Sequence, residues 1–120
     1  MKGRELTKLH EAGKRDFSRF DLSGVYLMEA NLSGADLSGS DLGRADLRFA
    51  SLAGADLRQA DLSEANLRGA NLRGANLSGA NLSGANLRQT DLFLARMTDE
   101  QLAQAKSLEG ATMPDGTKHE

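Results

Sequence analysis

Between Ala65 and Leu87 a five-residue unit repeats almost without change: Ala65-Asn66-Leu67-Arg68-Gly69, Ala70-Asn71-Leu72-Arg73-Gly74, Ala75-Asn76-Leu77-Ser78-Gly79, Ala80-Asn81-Leu82-Ser83-Gly84, then Ala85-Asn86-Leu87. A strict period of five matches neither regular element. On an α-helix, five residues advance a side chain by about 140°, which scatters the leucines around the surface. On a strand, the alternation of period two sends successive leucines to opposite faces. Leucine and alanine share one interior only if the chain bends once per unit, always in the same sense. Such a chain winds into coils that stack through backbone hydrogen bonds at about 4.8 Å.

With leucine taken as the centre of each unit, centres fall at Phe17, at every fifth residue from Leu22 to Leu92, and at Met97. Fifteen of these seventeen are Leu, and the residue two before the centre is Ala in twelve units. These two positions point inward; the other three point outward or form the bend. Gly closes eight units, at 24, 34, 39, 54, 69, 74, 79 and 84, as a turn with positive φ favours. Where Arg44, Phe49, Gln59, Glu64, Gln89 and Leu94 replace it, a different turn without positive φ is expected. Ser40 and Thr90 occupy the inward Ala position, so their hydroxyls are expected to bond backbone carbonyls.

The unit Ala-(Asp/Asn)-Leu-x-x resembles that of the pentapeptide-repeat family, and the chain is similar to its small, cyanobacterial-type members. The resemblance implies an all-β solenoid, a right-handed quadrilateral β-helix in which four units make one coil. About four coils are expected here, with short capping α-helices at both ends. The chain then divides into an N-terminal helical cap (1–13), a repeat body (14–97) and a C-terminal helical cap and tail (98–120), all one domain. Both ends resemble the capping segments of cyanobacterial members, which implies a complete small protein.

The ends can be read in more detail. Residues 4 to 12 are expected to be helical, with Leu6 and Leu9 on one apolar face, His10 on the same surface and Gly13 just past the end. Phe17, Phe20 and Val25 bring larger side chains to the first coil, filling space beneath that helix. Thr98-Asp99-Glu100-Gln101 matches a capping box and predicts a helix from Asp99 to about Lys106, burying Leu102 and Ala105 over Phe93 and Leu94. Ser107 to Met113 reads as two degenerate units out of register, folding back to finish the end. Pro114-Asp115-Gly116 is a turn, and the last four residues are expected to be disordered.

Enzyme chemistry finds no support. Cys and Trp are absent, and the only histidines, His10 and His119, lie near opposite ends. No Cys/His or Ser/His/Asp grouping converges, so no catalytic residue, metal site or cofactor is assigned. The glycines recur as turns and form no phosphate loop. A net charge of −2 offers no bulk attraction to nucleic acid or membrane. No apolar run reaches signal-peptide or membrane-spanning length, which makes a cytoplasmic protein the expectation.

Function must therefore lie on the outside. With four units per coil, residues twenty apart stack. Arg48, Arg68 and Arg88 form one column, with Arg73 on the next side; Asp16, Asp36 and Asp56 form a second, and Asp21, Asp41 and Asp61 a third. Asp46 and Asp56 can neutralise Arg48 and Arg58, two residues on, whereas Arg68, Arg73 and Arg88 have Asn at that spacing. Stacking is expected to raise some aspartate pKa values. Tyr26 and Met28 point outward, either against the N-terminal segment or as a contact surface extended by Phe49. The reading is a non-catalytic structural and protein-interaction module, a monomer with weak dimerisation as the alternative state. It binds another protein, neither nucleic acid nor membrane, through some of Arg48, Arg68, Arg73, Arg88, Tyr26, Met28, Phe49, Asp36, Asp41, Asp56 and Asp61. The family resemblance supplies an alternative, a DNA-mimicking inhibitor of DNA gyrase or another DNA-binding protein. That mimicry depends on a long rod with a broad acidic surface; the stack here is short, and arginines interrupt the acid.

Overall fold

The computed structural model describes residues 1–120, and the chain bends once in every five residues. At the bends from Leu22 to Leu92 the N–H of the residue three past the centre donates to the centre's carbonyl, as in Val25 to Leu22 (3.0 Å), Ala45 to Leu42 (3.0 Å) and Ala70 to Leu67 (2.9 Å). Within these turns only the third residue has positive φ, which defines a type II turn. The expectation of a second turn type is overturned. Arg44 (φ 59°), Phe49 (59°), Gln59 (61°), Glu64 (60°), Gln89 (58°) and Leu94 (64°) adopt the same left-handed conformation as the glycines, as do Arg19 and Glu29. That conformation costs an L-residue about 1–2 kcal/mol. It persists because the same residue's N–H bonds the next rung: Arg44 to Ser63 O at 2.9 Å, Phe49 to Arg68 O and Gln59 to Ser78 O at 3.0 Å. Another turn would break that bond and the register of the stack.

Parallel pairing joins residues twenty apart, for example Asp36 with Asp56, Asp46 with Asn66 and Asn66 with Asn86. Each pairing is a single bridge, because the chain turns a corner before a longer ladder can form. Three bonds hold each rung to its neighbours, as at Leu47 N–H to Asn66 O (2.8 Å), Phe49 N–H to Arg68 O (3.0 Å) and Asp46 N–H to Val25 O (2.9 Å). Leu47, Leu67 and Leu87 stack in one column and are fully buried, as are the other leucine centres from Leu32 to Leu92. The alanines beside them close the core. Ser40 and Thr90 donate to the carbonyls of Phe17 (2.7 Å) and Leu67 (2.8 Å), as expected. The body measures 37 × 21 × 21 Å.

The residue before the centre is Asp or Asn in fourteen of the seventeen units, for a local reason. Its Oδ1 accepts the backbone N–H two residues on, from Ser18 on Asp16 (3.0 Å) through Arg68 on Asn66 (3.2 Å) to Arg88 on Asn86 (3.0 Å). This side chain satisfies a turn amide that no rung reaches.

Helix α1 (Gly3–Glu11) lies across the first rungs and buries Gly3, Leu6 and His10. The apolar face is not the expected one: Leu9 is 37% exposed, and His10 points inward. Its Nε2 donates to Ser33 O at 2.9 Å, a carbonyl with no earlier rung to supply an N–H. Gly3 allows the helix to close on the chain, since a Cβ there would overlap Tyr26 O. Phe17 and Phe20 meet edge to face at 6.2 Å.

Helix α2 (Asp99–Ala103) has the expected capping box, with Thr98 and Gln101 bonded reciprocally, and it buries Leu102. It ends three residues earlier than expected, with Ala105 partly buried against the core. Gln101 Nε2 donates to Leu77 O (2.7 Å) and Ala80 O (3.0 Å). The second of these is the carbonyl that the backbone N–H of a regular unit would have reached. Phe93 and Leu94 do not lie beneath this helix: Leu94 is 65% exposed, and Phe93 lies beside Arg73 and Gly116. Rungs then resume one residue out of phase, with Ser107 on Asn86 and Thr112 on Asp91. The tail is ordered by hydrogen bonds. Lys118 pairs antiparallel with Thr112, and Met113 N–H to Thr117 O (2.7 Å) and His119 N–H to Ala111 O (2.8 Å) hold it. The expected disorder of the last four residues is corrected accordingly.

Candidate interaction surface

The twenty-residue register sorts the exposed side chains onto four sides. Side one carries Asp16, Asp36 and Asp56, and side two Asp21, Asp41 and Asp61. These carboxylates are partly occupied by the turns. Asp36 accepts from Ser38 N (3.0 Å) and Oγ (2.6 Å), Asp41 from Gly43 N (2.9 Å), and Asp61 from Ser63 N (2.9 Å). Asp56 is clamped by Arg58, with Nη2 to Oδ2 at 2.6 Å.

Stacking does not raise the aspartates whose titration is displaced. The hydroxyl and amide of Ser18 hold Asp16 below the usual carboxylate range, and Ser23 does the same for Asp21. Hydrogen bonds from Arg48 and Arg58 lower Asp46 and Asp56. Donors that stabilise the charged form outweigh the desolvation that opposes it.

Side three differs in character. Its rungs begin at Tyr26, Asp46, Asn66, Asn86 and Ser107, so Met28, Arg48, Arg68 and Arg88 project beside one another with Phe49 at the second corner. Tyr26 is 62% and Phe49 54% exposed. The backbone of Tyr26 lies against Gly3 of α1, and its hydroxyl reaches Met28 Sδ at 3.9 Å. Arg48 is neutralised by Asp46, with Nη2 to Oδ2 at 2.8 Å.

The expectation that Arg68, Arg73 and Arg88 all lack an acidic neighbour holds for Arg68 alone. Arg73 Nε lies 3.7 Å from Asp91, and its guanidinium stacks on Phe93 at 5.1 Å from the ring centroid. Arg88 Nε lies 3.9 Å from Glu109. Both partners come from the next rung, 18 and 21 residues away, and not from the unit's own Asp/Asn position. Arg68 enters no ion pair, and its Nε–H makes one long bond, 3.4 Å, to Gln89 Oε1. Side four, with Arg73 and Phe93, therefore does not share the open cation of side three.

A model of pentapeptide repeats matches eight copies in this chain, over residues 15–44, 40–79 and 60–99. The chain belongs to the pentapeptide-repeat family. Its fold is accordingly the right-handed quadrilateral β-helix, and the twenty-residue pairing is that helix's period. Among solved structures, this pentapeptide-repeat protein is similar to HetL from the cyanobacterium Nostoc sp. strain PCC 7120, a pentapeptide repeat protein involved in heterocyst differentiation regulation. The two are 37% identical with a TM-score of 0.68, over 87% of this chain and 53% of HetL. It is also similar to alr5209, a pentapeptide repeat protein from Nostoc PCC 7120, at 38% identity and a TM-score of 0.61, over 93% of this chain and 75% of that one. This chain thus spans about half the length of HetL. QnrB1, a plasmid-mediated fluoroquinolone resistance protein, matches at 21% identity and a TM-score of 0.40, too distant to bear on function. No curated protein sequence matches the chain. No helix is long and apolar enough to cross a membrane.

Proposed function

We propose that this protein is a non-catalytic interaction module, a single domain over residues 1–120 with about four coils, in which α1 and α2 act as caps. Each helix sends one side chain, His10 or Gln101, to a carbonyl that no rung satisfies, and solenoids need their open edges closed. The module works as a monomer in the cytoplasm, and its partner is another protein. HetL's involvement in the regulation of heterocyst differentiation supports a role of this kind.

The observation that carries the proposal is the gathering of exposed Tyr26 and Phe49 on the side that also bears the unpaired Arg68. Large exposed apolar groups beside an uncompensated guanidinium are the composition of contact surfaces. DNA mimicry is the weaker reading, because the aspartate columns give way to Asn76 and Asn81 and their oxygens serve the turns. Affinity capture from lysate, read by mass spectrometry, tests the proposal. A partner retained by the wild type and by Asp41→Asn/Asp61→Asn, but lost with Tyr26→Ser/Phe49→Gly, supports it. Capture that is indifferent to side three, or inhibition of gyrase supercoiling at micromolar protein, overturns it.

A further inference from the structure

Side three is graded along the solenoid axis. At its N-terminal end Tyr26 and Met28 are neighbours, and on the next rung the exposed Phe49 ring leans onward over Gly69. Beyond it come the guanidinium groups of Arg68 and Arg88, which border a shallow hollow with Gln89, Glu109 and Gly110. The formal charges of this side nearly cancel: Glu29, Asp46 and Glu109 stand against Arg48, Arg68, Arg88 and Lys106. Two of the arginines are matched locally, Arg48 tightly and Arg88 loosely, at 3.9 Å from an exposed Glu109. Of the three, Arg68 alone enters no ion pair, and it stands next to a hollow that a second guanidinium also faces.

A polyanion has little purchase on a side whose net charge is a single positive. A ligand that presents one carboxylate and one apolar group has more. We infer that side three binds an extended segment of the partner protein carrying an apolar side chain with an Asp or Glu two or three positions away. The inference rests on the proposal that the chain is an interaction module. The apolar side chain covers Tyr26 and Met28, and the carboxylate is held by the planar fork of Arg68, whose geometry suits bidentate pairing, with the Phe49 ring, over Gly69, flanking it. The spacing follows from the rungs. Tyr26 and Met28 lie two rungs from Arg68, roughly 10 Å at about 4.8 Å per rung, which an extended chain spans in two or three residues at about 3.3 Å each.

The test is a library of random peptides displayed on phage, selected against the full chain, with the enriched sequences then made as synthetic peptides and measured by calorimetry. The expected result is enrichment of an apolar residue two or three positions from Asp or Glu. Arg68→Glu weakens these peptides at least tenfold, and Arg68→Gln less. Replacing the peptide's Asp or Glu by its amide weakens binding to the wild type but restores part of the binding lost with Arg68→Glu. Phe49→Gly also weakens binding while leaving the thermal melt intact, because residue 49 already sits at φ 59°, where glycine is at ease. Enriched peptides without this spacing, peptides indifferent to Arg68→Glu, or a library that yields no binder each overturn the inference. In those cases the interaction module still stands if the captured partner is lost with Tyr26→Ser/Phe49→Gly, and falls if it is not.

Discussion

The ring of Phe49 lies over the α-carbon of Gly69, one rung on, so that a Cβ added at Gly69 would overlap its Cε1 and Cδ1 atoms. Gln59 over Gly79 and Glu64 over Gly84 repeat the relationship. Corner side chains lean toward the next rung, and glycine there leaves room for them. Gly69→Ala therefore meets two obstacles, the ring and its own φ of 70°. It should destabilise by about 1–3 kcal/mol. In a Phe49→Gly background the penalty should shrink to about 1 kcal/mol, the backbone part alone. Urea denaturation of the four variants measures this; an undiminished penalty in the double variant would show that the ring is not the obstacle.

Inside and outside differ sharply between adjacent residues. Leu67 is fully buried among leucines and alanines, whereas the Asn66 side chain serves the Arg68 amide from the surface. Leu67→Asp should leave no folded protein, since an unpaired carboxylate there costs more than the fold's whole stability margin. Asn66→Asp keeps the acceptor and should melt within a few degrees of wild type. Asn66→Ala loses the turn bond and should cost about 1 kcal/mol. Circular dichroism melts of the three variants should follow that order.

Acid should unfold the protein from one direction only. Asp16, Asp21, Asp46, Asp56 and Asp115 titrate below the usual range when folded, against about 3.9 for an unfolded aspartate. Their contribution is complete above that value and is lost as pH falls through the lower folded values. The melting temperature should be insensitive to these groups between pH 5 and 7, within the resolution of a melt, and should drop below about pH 4. Ser18→Ala with Ser23→Ala removes the leading donors to Asp16 and Asp21, and should flatten the acid limb of a plot of melting temperature against pH.

Gln101 makes the C-terminal end depend on an amide. Its Nε2 donates to two carbonyls while its Oε1 accepts from Thr98 N at 2.8 Å. Gln101→Ala strands the Ala80 carbonyl, while Leu77 O keeps the Ala80 N–H, and should cost about 1–3 kcal/mol. Gln101→Glu should be worse at neutral pH, because an ionised carboxylate would face the carbonyls without a proton to give. Its folded pKa would be raised, so part of the stability returns as pH falls through that value. Chemical denaturation at pH 7 and pH 5 distinguishes the two variants; a Glu variant insensitive to pH over that range would contradict the assigned donor.

The sequence alone determined whatever depends on period and polarity. The five-residue repeat put Ala and Leu inside and assigned carbonyl partners to Ser40 and Thr90, the Thr98–Gln101 capping box was plain from its residues, and the family resemblance added the four-unit coil that places Arg48, Arg68 and Arg88 in one column. The first three follow from a residue's own chemistry at a fixed spacing. Tertiary structure decided what depends on two rungs at once. Phe49 and Leu94 take a glycine-like φ because the next rung claims the N–H of that corner. Arg73 and Arg88 find carboxylates because Asp91 and Glu109 lie one rung on, the second through the one-residue shift introduced at α2. His10, and not Leu9, turns inward because Ser33 O has no earlier rung to bond. A five-residue code specifies each bend, but the partner of a side chain twenty residues away exists only once the coils are stacked.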